Sequence, residues 1–211
     1  MGIVERRERE RVETRDKILD AARELFVSEG YDGVTMRKVA ERIEYSPTAI
    51  YVHFHDKEQL FLELCHADFR RLAESFVQLA QVDDPVERLR RIGFAYMQFG
   101  LENPNHYRMM FMTAHPRLAD EEMEKNMGKG NPEEDAYAFL QESVREAVNA
   151  GAFRPELTDV DLIAQTLWAG VHGVVSLQIA KCSDDWVPWS SFKDRAELII
   201  DGLIHGLLKR G

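Results

Sequence analysis

Polar side chains suited to contacting nucleic acid cluster between residues 35 and 57. Thr35, Ser46 and Asp56 each stand just before a segment of helical periodicity, where an oxygen-bearing side chain caps the first turn. A capped helix start presents backbone N–H groups and the positive end of the helix dipole, which favour an anion such as phosphate. Thr48 adds a hydroxyl that could reach a base edge or a phosphate oxygen. The spacing therefore predicts a DNA-contacting surface.

Two short helices joined by a tight turn are predicted to position these groups. Residues 36–43 carry one apolar stripe, and residues 47–53 begin with Pro47 at the first helical position, where its missing N–H costs nothing. The major groove of B-DNA, about 12 Å wide, admits one such helix while the other braces it. The residues expected to face inward are Ala49, Ile50 and Phe54, and those expected to face DNA are Thr48, Tyr51 and His53.

The charge distribution is compatible with DNA binding, although the whole chain carries a formal charge of -10. Residues 1–57 hold eleven Lys and Arg against twelve Asp and Glu, whereas the remainder holds 16 against 25. The acidity therefore belongs to the C-terminal part, which should repel DNA and confine contact to the N-terminal part. The basic residues that flank the proposed reading unit are Arg37, Lys38, Arg42 and Lys57.

Residues 14 to about 64 resemble the N-terminal domain of the tetracycline-repressor (TetR) family. Three runs carry the resemblance: TMRKVA at 35–40, YSPTAIYVHF at 45–54 and DKEQL at 56–60. The resemblance implies a homodimer whose two N-terminal domains enter successive major grooves of a palindromic DNA operator. It also implies a helical C-terminal domain that binds a small-molecule effector and thereby releases DNA.

The resemblance also suggests individual DNA contacts. It assigns phosphate contacts to Thr35, Tyr51 and Lys57, and base or mixed contacts to Ser46, Pro47, Thr48 and Tyr51, with His53 and Arg37 as further candidates. Glu44 departs from the glycine common in the family's turn, which puts the turn geometry in doubt. Thr48 likewise stands where the family often has glycine.

The remaining elements are also predicted to be helical, so the expected fold class is all-α with about nine helices. Outside the reading unit the predicted helices cover residues 14–29, capped by Thr14 and ended by Gly30, then 56–76, 85–103, 106–114, 133–150, 160–180 and 192–209. We expect a helix-turn-helix DNA-binding domain at 1–60, linked by a long helix to a ligand-binding and dimerisation domain at 61–211.

The C-terminal part offers two weaker signals. WAGVHG at 168–173 is similar to the Trp and His-Gly element of one subset of the family's C-terminal domains. The helices at 160–180 and 192–208 are apolar around more than one face, which predicts dimerisation through a four-helix bundle.

An aromatic and methionine-rich set has two interpretations, a ligand cavity or plain core packing. Its members are Tyr96, Phe99, Tyr107, Met110, Phe111, Trp168 and His172. His172 is either a ligand anchor or a hydrogen-bonded core histidine, and the second interpretation is favoured.

Other classes find little support in the sequence. Cys65 and Cys182 are far apart, which predicts reduced thiols rather than a disulfide or a zinc site. We find no catalytic motif and predict no cofactor or metal, so an enzyme or ligand-binding protein with a vestigial DNA-binding part is the alternative. The expected regulator is a repressor, with an activator or an architectural binder without ligand as a further interpretation. The absence of a secretory signal and of an apolar run near 20 residues predicts a cytoplasmic protein without membrane contact.

The N-terminal arginines allow two interpretations. Arg6, Arg7, Arg9 and Arg11 alternate with glutamates. This alternation favours a solvated helical extension over a flexible arm that reaches into the minor groove.

Overall fold

The computed structural model describes residues 2–114 and 128–209, and in these ranges the chain is helical. The helices are α1 (Ile3–Gly33), α2 (Met36–Arg42), α3 (Pro47–Tyr51), α4 (Lys57–Glu74), α5 (Pro85–Glu102), α6 (Pro104–Phe111), α7 (Ala136–Asn149), α8 (Val160–Ala180) and α9 (Phe192–Leu207), with a 3₁₀ turn at Val77–Gln81. Extended pairing in the described ranges is confined to a single bridge between Phe153 and Leu208. The all-α fold class is confirmed.

The described chain separates into two compact units. The head unit contains residues 2–68 together with 105–114, and the body unit contains residues 69–104 and 128–209. Most of α6 therefore packs with the N-terminal helices rather than with the helices that follow it.

The head unit is built around the apolar face of α1. Ile18, Ala22 and Phe26 are fully buried there. Phe26 also meets Phe61 of α4 edge to face, with 5.1 Å between ring centroids. Met109 of α6 is fully buried in the same core, so the helix near residue 106 supports the DNA-binding part of the chain.

The start of α1 corrects one prediction. Thr14 is not a helix cap, because α1 begins at Ile3 and the Thr14 hydroxyl donates to the Glu10 carbonyl at 2.8 Å. The predicted end of this helix at Gly30 is closer to the structure. Gly30 has a φ of 73°, outside helical geometry, and the chain then resumes helical turns to Gly33. The helical interpretation of the N-terminal arginines is confirmed.

The body unit packs α5, α7, α8 and α9 around a common core. Gly93 of α5 lies where three helices approach closely, because a Cβ at this position would stand 3.1 Å from Ile200 of α9 and 3.5 Å from Val171 of α8. Arg88 joins α5 to α7 by donating to the Glu146 carboxylate at 2.7 Å. These contacts hold the helices that carry Tyr96, Trp168 and His172.

Helix α8 is long and apolar enough to pass a length-and-composition test for a membrane span, with a mean hydropathy of 1.3. No apolar run of about 20 residues was expected from the sequence, and α8 is an exception by this test. Mostly buried core helices of soluble proteins pass the same test, whereas only 22% of the tested window of α8 is buried. The buried residues of α8 include Ile163, Leu167 and Val171. One such helix is therefore weak support for a membrane contact.

Candidate DNA interface and effector-binding cluster

The three expected helix caps of the reading unit are present. Thr35 Oγ1 accepts from the Lys38 N–H at 3.2 Å, and Ser46 Oγ accepts from the Ala49 N–H at 3.3 Å. Asp56 Oδ1 accepts from the Gln59 N–H at 2.8 Å, and this bond is the main reason that the pKa of Asp56 lies below its ordinary value. Each cap arises from a local sequence signal, which explains why sequence reasoning located all three.

Glu44 occupies the turn between α2 and α3 with a φ of 60°, in the left-handed region that favours glycine. The turn nevertheless closes, since the Tyr45 N–H donates to the Ala40 carbonyl at 2.9 Å. The departure from the family's glycine therefore preserves the turn and costs backbone strain of about 1 kcal/mol.

Helix α3 divides into a buried and an exposed side as expected. Ile50 and the following Phe54 are fully buried, whereas Pro47, Thr48 and Tyr51 are exposed. Ala49, which was expected to face inward, is only half-buried. An exposed side on the second helix of such a motif is the feature required for reading base edges.

The sequence prediction missed two exposed apolar side chains beside this helix. Val52 is 69% exposed and Tyr45 is 39% exposed. Apolar side chains on a reading helix can contact the methyl group of thymine. Their exposure depends on where α3 begins and ends. Five residues are too few for hydrophobic periodicity to define those two ends.

Lys57 is held at the start of α4 rather than extended into solvent. Its Nζ donates to the Tyr31 carbonyl at 3.0 Å and lies 4.2 Å from the centroid of the Tyr31 ring. The ammonium group is therefore fixed in position, which reduces the entropy lost if it contacts a phosphate.

The other basic groups around the reading unit are paired with acidic groups of the head unit. The pairs are Arg37 with Glu41 at 2.7 Å, Lys38 with Glu29 at 2.5 Å and Arg42 with Glu24 at 2.6 Å. Exposed pairs of this kind contribute about 0–1 kcal/mol. A phosphate can therefore compete with the carboxylates for these cations at small cost.

His53 follows α3 and is half-buried. Burial is the largest cause that lowers its pKa, and the positive charges of Arg11 and Arg15 lower it further. A neutral imidazole can both donate and accept a hydrogen bond, so His53 is suited to a polar contact rather than to a charge contact. His55, the other histidine of this short motif, lies beside Asp56 at 3.0 Å.

A buried ion network lies deeper in the head unit and was not predicted. Asp68 of α4 is 1% exposed and accepts from Arg23 of α1 through Nε at 3.1 Å and Nη2 at 2.8 Å. His106 of α6 places its Nδ1 2.8 Å from the same carboxylate. The network joins α1, α4 and α6, and no sequence signal connects residues so far apart in the chain.

Three of the predicted effector residues form a hydrogen-bonded chain in the body unit. Trp168 Nε1 donates to the Tyr96 hydroxyl at 3.0 Å, and that hydroxyl lies 3.0 Å from His172 Nδ1. Because indole is only a donor, the Tyr96 oxygen accepts from Trp168, and its own hydrogen can point at His172 Nδ1. Burial lowers the pKa of His172.

Tyr137 of α7 joins this cluster and was missed by the sequence prediction. Its ring centroid lies 6.0 Å from that of Trp168. Its hydroxyl is buried and has no hydrogen-bond partner among the described residues. A buried hydroxyl without a partner is costly, so it marks a place where a ligand oxygen or water would be stabilising.

The remaining predicted effector residues are distributed over both units. Phe99 is buried in the body unit. Tyr107, Met110 and Phe111 belong to the head unit, where the rings of Tyr107 and Phe111 lie 5.0 Å apart. Ligand contact and core packing both remain interpretations of these four residues.

The cysteines carry no additional site. Cys65 and Cys182 are both free and half-buried. Burial raises the pKa of the Cys65 thiol to about 12, which makes it a poor nucleophile.

Two regions of the chain match known protein families. Residues 18–64 match the family of bacterial regulatory proteins described as tetR family, and residues 89–203 match the tetracyclin repressor-like C-terminal domain. The chain belongs to the TetR family. The two matches contain the whole reading unit and the Tyr96, Trp168 and His172 cluster of this TetR-family protein.

Individual relatives match only part of this TetR-family chain. The HTH-type transcriptional repressor AcnR of Corynebacterium jeikeium is 45% identical over 62 residues, which are 29% of this chain and 33% of AcnR. The HTH-type transcriptional activator FasR of Mycolicibacterium smegmatis is 32% identical over 102 residues, which are 48% of this chain and 47% of FasR. The chain thus aligns with about a third to a half of the length of these relatives.

Solved structures resemble the fold over nearly the whole chain. A TetR family transcription regulator from Marinobacter aquaeolei VT8 has a TM-score of 0.76 and 20% sequence identity, covering 96% of this chain and 100% of that one. At this identity the similarity establishes a shared fold.

Proposed function

We propose that this protein is a DNA-binding transcriptional regulator, a repressor that an effector releases from a palindromic operator. The observation that carries the proposal is the arrangement of α3, which is capped by Ser46, anchored by buried Ile50 and exposed along Thr48 and Tyr51. A helix that is anchored on one side and polar on the other can enter a major groove without unfolding the head. The similarity of 29% of this chain to the repressor AcnR supports repression.

Within this proposal, Lys57 contacts a phosphate and Thr48 contacts a base edge. We expect Lys57→Gln to weaken binding about equally for all DNA sequences and to reduce the salt slope of affinity by about one per lost contact. Thr48→Ala should instead change which operator variants are preferred. Fluorescence anisotropy with labelled duplexes from the region upstream of the protein's own gene measures both effects.

A thermal unfolding control accompanies Lys57→Gln, because Lys57 also contacts Tyr31. An unchanged salt slope with intact folding would contradict the phosphate role. An affinity loss for Thr48→Ala that is uniform over all operator variants would contradict base reading.

We further propose that α8 and α9 form the dimer interface. Helix α8 carries a stripe of small and apolar residues at helical spacing, comprising the half-buried Gly173 and the exposed Leu162, Thr166, Ala169, Leu177 and Ala180. On α9, Leu198 is 75% exposed, and a Cβ at Gly202 or Gly206 would meet nothing within 4 Å. Small residues beside exposed leucines allow two helices of a second copy to approach closely, as in a four-helix bundle.

Light scattering tests this interface. We expect the native protein to have twice the chain mass of 24.4 kDa and Leu198→Glu to shift it toward the monomer. Leu101→Glu is the matched control, because Leu101 is 40% exposed on α5, outside the proposed interface. Equal behaviour of the two variants would contradict the assignment.

For the effector, we propose a neutral amphipathic molecule whose polar group contacts Tyr137 beside Trp168. The Tyr96, Trp168 and His172 chain presents hydrogen-bonding groups without a fixed charge, since burial lowers the pKa of His172. The buried hydroxyl of Tyr137 has no hydrogen-bond partner among the described residues, so it is available to bind a polar group of the effector. A charged head group would have to be desolvated beside these neutral groups, which is unfavourable.

Three probes with one chain length and different head groups test this assignment: decanol, decanoate and decyltrimethylammonium. With Trp186→Phe and Trp189→Phe, the fluorescence of Trp168 reports binding. We expect decanol to bind most tightly and Tyr137→Phe to weaken it about fivefold, the effect of one hydrogen bond.

Tyr45→Phe, which removes an exposed hydroxyl of the head unit, is the control for Tyr137→Phe. Tightest binding of decanoate, or no response to any probe, would contradict the assignment. A protein that binds a probe and no DNA would favour the alternative of a ligand-binding protein with a vestigial DNA-binding part.

A further inference from the structure

Three arginines form a stripe along the N-terminal half of α1. Arg7, Arg11 and Arg15 recur every four residues in a continuous helix. With a rise of 1.5 Å and 3.6 residues per turn, their side chains span about 12 Å of helix within a sector of about 80°. The same sector contains the buried Ile18 and Ala22 further along α1. The stripe therefore continues the buried face of the helix beyond the end of the core, where Arg7 and Arg11 are exposed.

The acidic residues of this segment lie mostly elsewhere on the helix. Glu10 accepts from Arg6 at 2.7 Å and lies about 60° from Arg7 and about 100° from Arg11 around the helix. Glu13 and Asp16 lie further round by the same geometry, whereas Glu8 and Glu10 flank the stripe on its two sides. Between residues 7 and 15 the sector of the stripe itself therefore contains arginines and no acidic residue.

The stripe lies on the side of the head unit that carries the end of α3. The guanidinium of Arg15 lies 4.7 Å from the centroid of the Phe54 ring and pairs with Glu63. Arg11, one turn before Arg15, is close enough to His53 for its charge to lower the pKa of that imidazole. The cationic face of α1 is therefore adjacent to the residues that follow the reading helix.

We propose that Arg7 and Arg11 extend the DNA interface by contacting the phosphate backbone outside the segment that α3 reads. The proposal rests on the proposed DNA-binding function and adds a second contact region to it. Charge complementarity identifies the partner, because duplex DNA carries one negative charge per about 1.7 Å of its axis. The helical state makes this extension a rigid rod along the backbone rather than an arm that enters the minor groove. Arg15 is left out because its guanidinium both lies over the buried Phe54 ring and pairs with Glu63.

A pair of double variants with equal charge change tests the proposal. Arg7→Ala with Arg11→Ala removes the stripe, and Arg6→Ala with Arg9→Ala removes two cations from the opposite side of the same helix. Operator affinity is measured by anisotropy between 50 and 300 mM salt. We expect the stripe variant to reduce the salt slope by about two to four for a dimer, at about 0.9 per contact, and the control variant to reduce it by less than one.

Shortening the operator gives a second readout that is insensitive to overall charge. Removing the base pairs that flank the two half-sites should lower the operator affinity of the native protein and of the control variant. The operator affinity of the stripe variant should stay unchanged. Equal slopes for both double variants, or equal sensitivity of all proteins to the flanks, would overturn the proposal. Absence of operator binding by the native protein would instead contradict the proposed function.

Discussion

The Asp68 network makes the strongest stability prediction for the head unit. Asp68→Leu removes a carboxylate that accepts three hydrogen bonds, two from Arg23 and one from His106, while leaving a side chain of similar size. Arg23 is only 6% exposed, so its guanidinium would remain buried without its main counter-ion. Loss of one partner of a buried ion pair costs about 3–5 kcal/mol.

The remaining contacts of Arg23 place the expected cost at the lower end of that range. Arg23 Nη1 also donates to Asp20 at 2.7 Å, and the Asp20 side chain is 76% exposed and accessible to water. We therefore expect Asp68→Leu to destabilise the protein by about 3 kcal/mol, which for a chain of this size lowers the midpoint of thermal unfolding by about 6–12 °C.

The assay is urea unfolding at one fixed protein concentration, followed by far-UV circular dichroism. The decisive comparison is the double variant Arg23→Met with Asp68→Leu. Replacing both charges by apolar groups of similar shape removes the uncompensated charge, so the double variant should recover most of the stability that Asp68→Leu loses. A double variant as unstable as Asp68→Leu, or an Asp68→Leu variant that loses less than 1 kcal/mol, would refute this account of the network.

Two further predictions concern the backbone of the turn and the neutral state of a histidine. Glu44→Gly should raise the unfolding midpoint by about 1–2 °C, because relief of about 1 kcal/mol of left-handed strain at a φ of 60° exceeds the entropic cost of glycine, about 0.5 kcal/mol; calorimetry that shows no increase would contradict it. For His172, burial keeps the pKa in the folded state below the ordinary value of 6.5, so the unfolded chain takes up a proton first as the pH falls. Stability should therefore decrease as the pH falls below 6.5 toward the folded-state pKa, and His172→Gln should flatten that decrease; an unchanged pH profile would contradict the assignment.

Features set by neighbouring residues were predicted well from the sequence. The caps at Thr35 and Ser46 depend on a side chain and a backbone N–H three residues later, and both are present. Thr14 shows the limit of that logic. Its hydroxyl bonds to the preceding turn, because the helix had already begun at Ile3.

Features set by distant residues could not be predicted. Arg23 and Asp68 are 45 positions apart and meet only because α1 packs on α4. The aromatic and methionine-rich set illustrates the same limit, since helical periodicity marks Tyr96 and Tyr107 as apolar-face residues without showing that they belong to different units. Tyr137 was missed because its place beside Trp168 depends on how α7 packs in the body unit.

Footprinting of the DNA upstream of the protein's own gene tests the central claim most directly. The structure of the reading unit and a dimer formed by α8 and α9 predict two protected half-sites related by two-fold symmetry. Their centres should be about 10 base pairs apart, or a multiple of that distance. Absence of protection, or one asymmetric site whose pattern is unchanged by Thr48→Ala, would contradict the account.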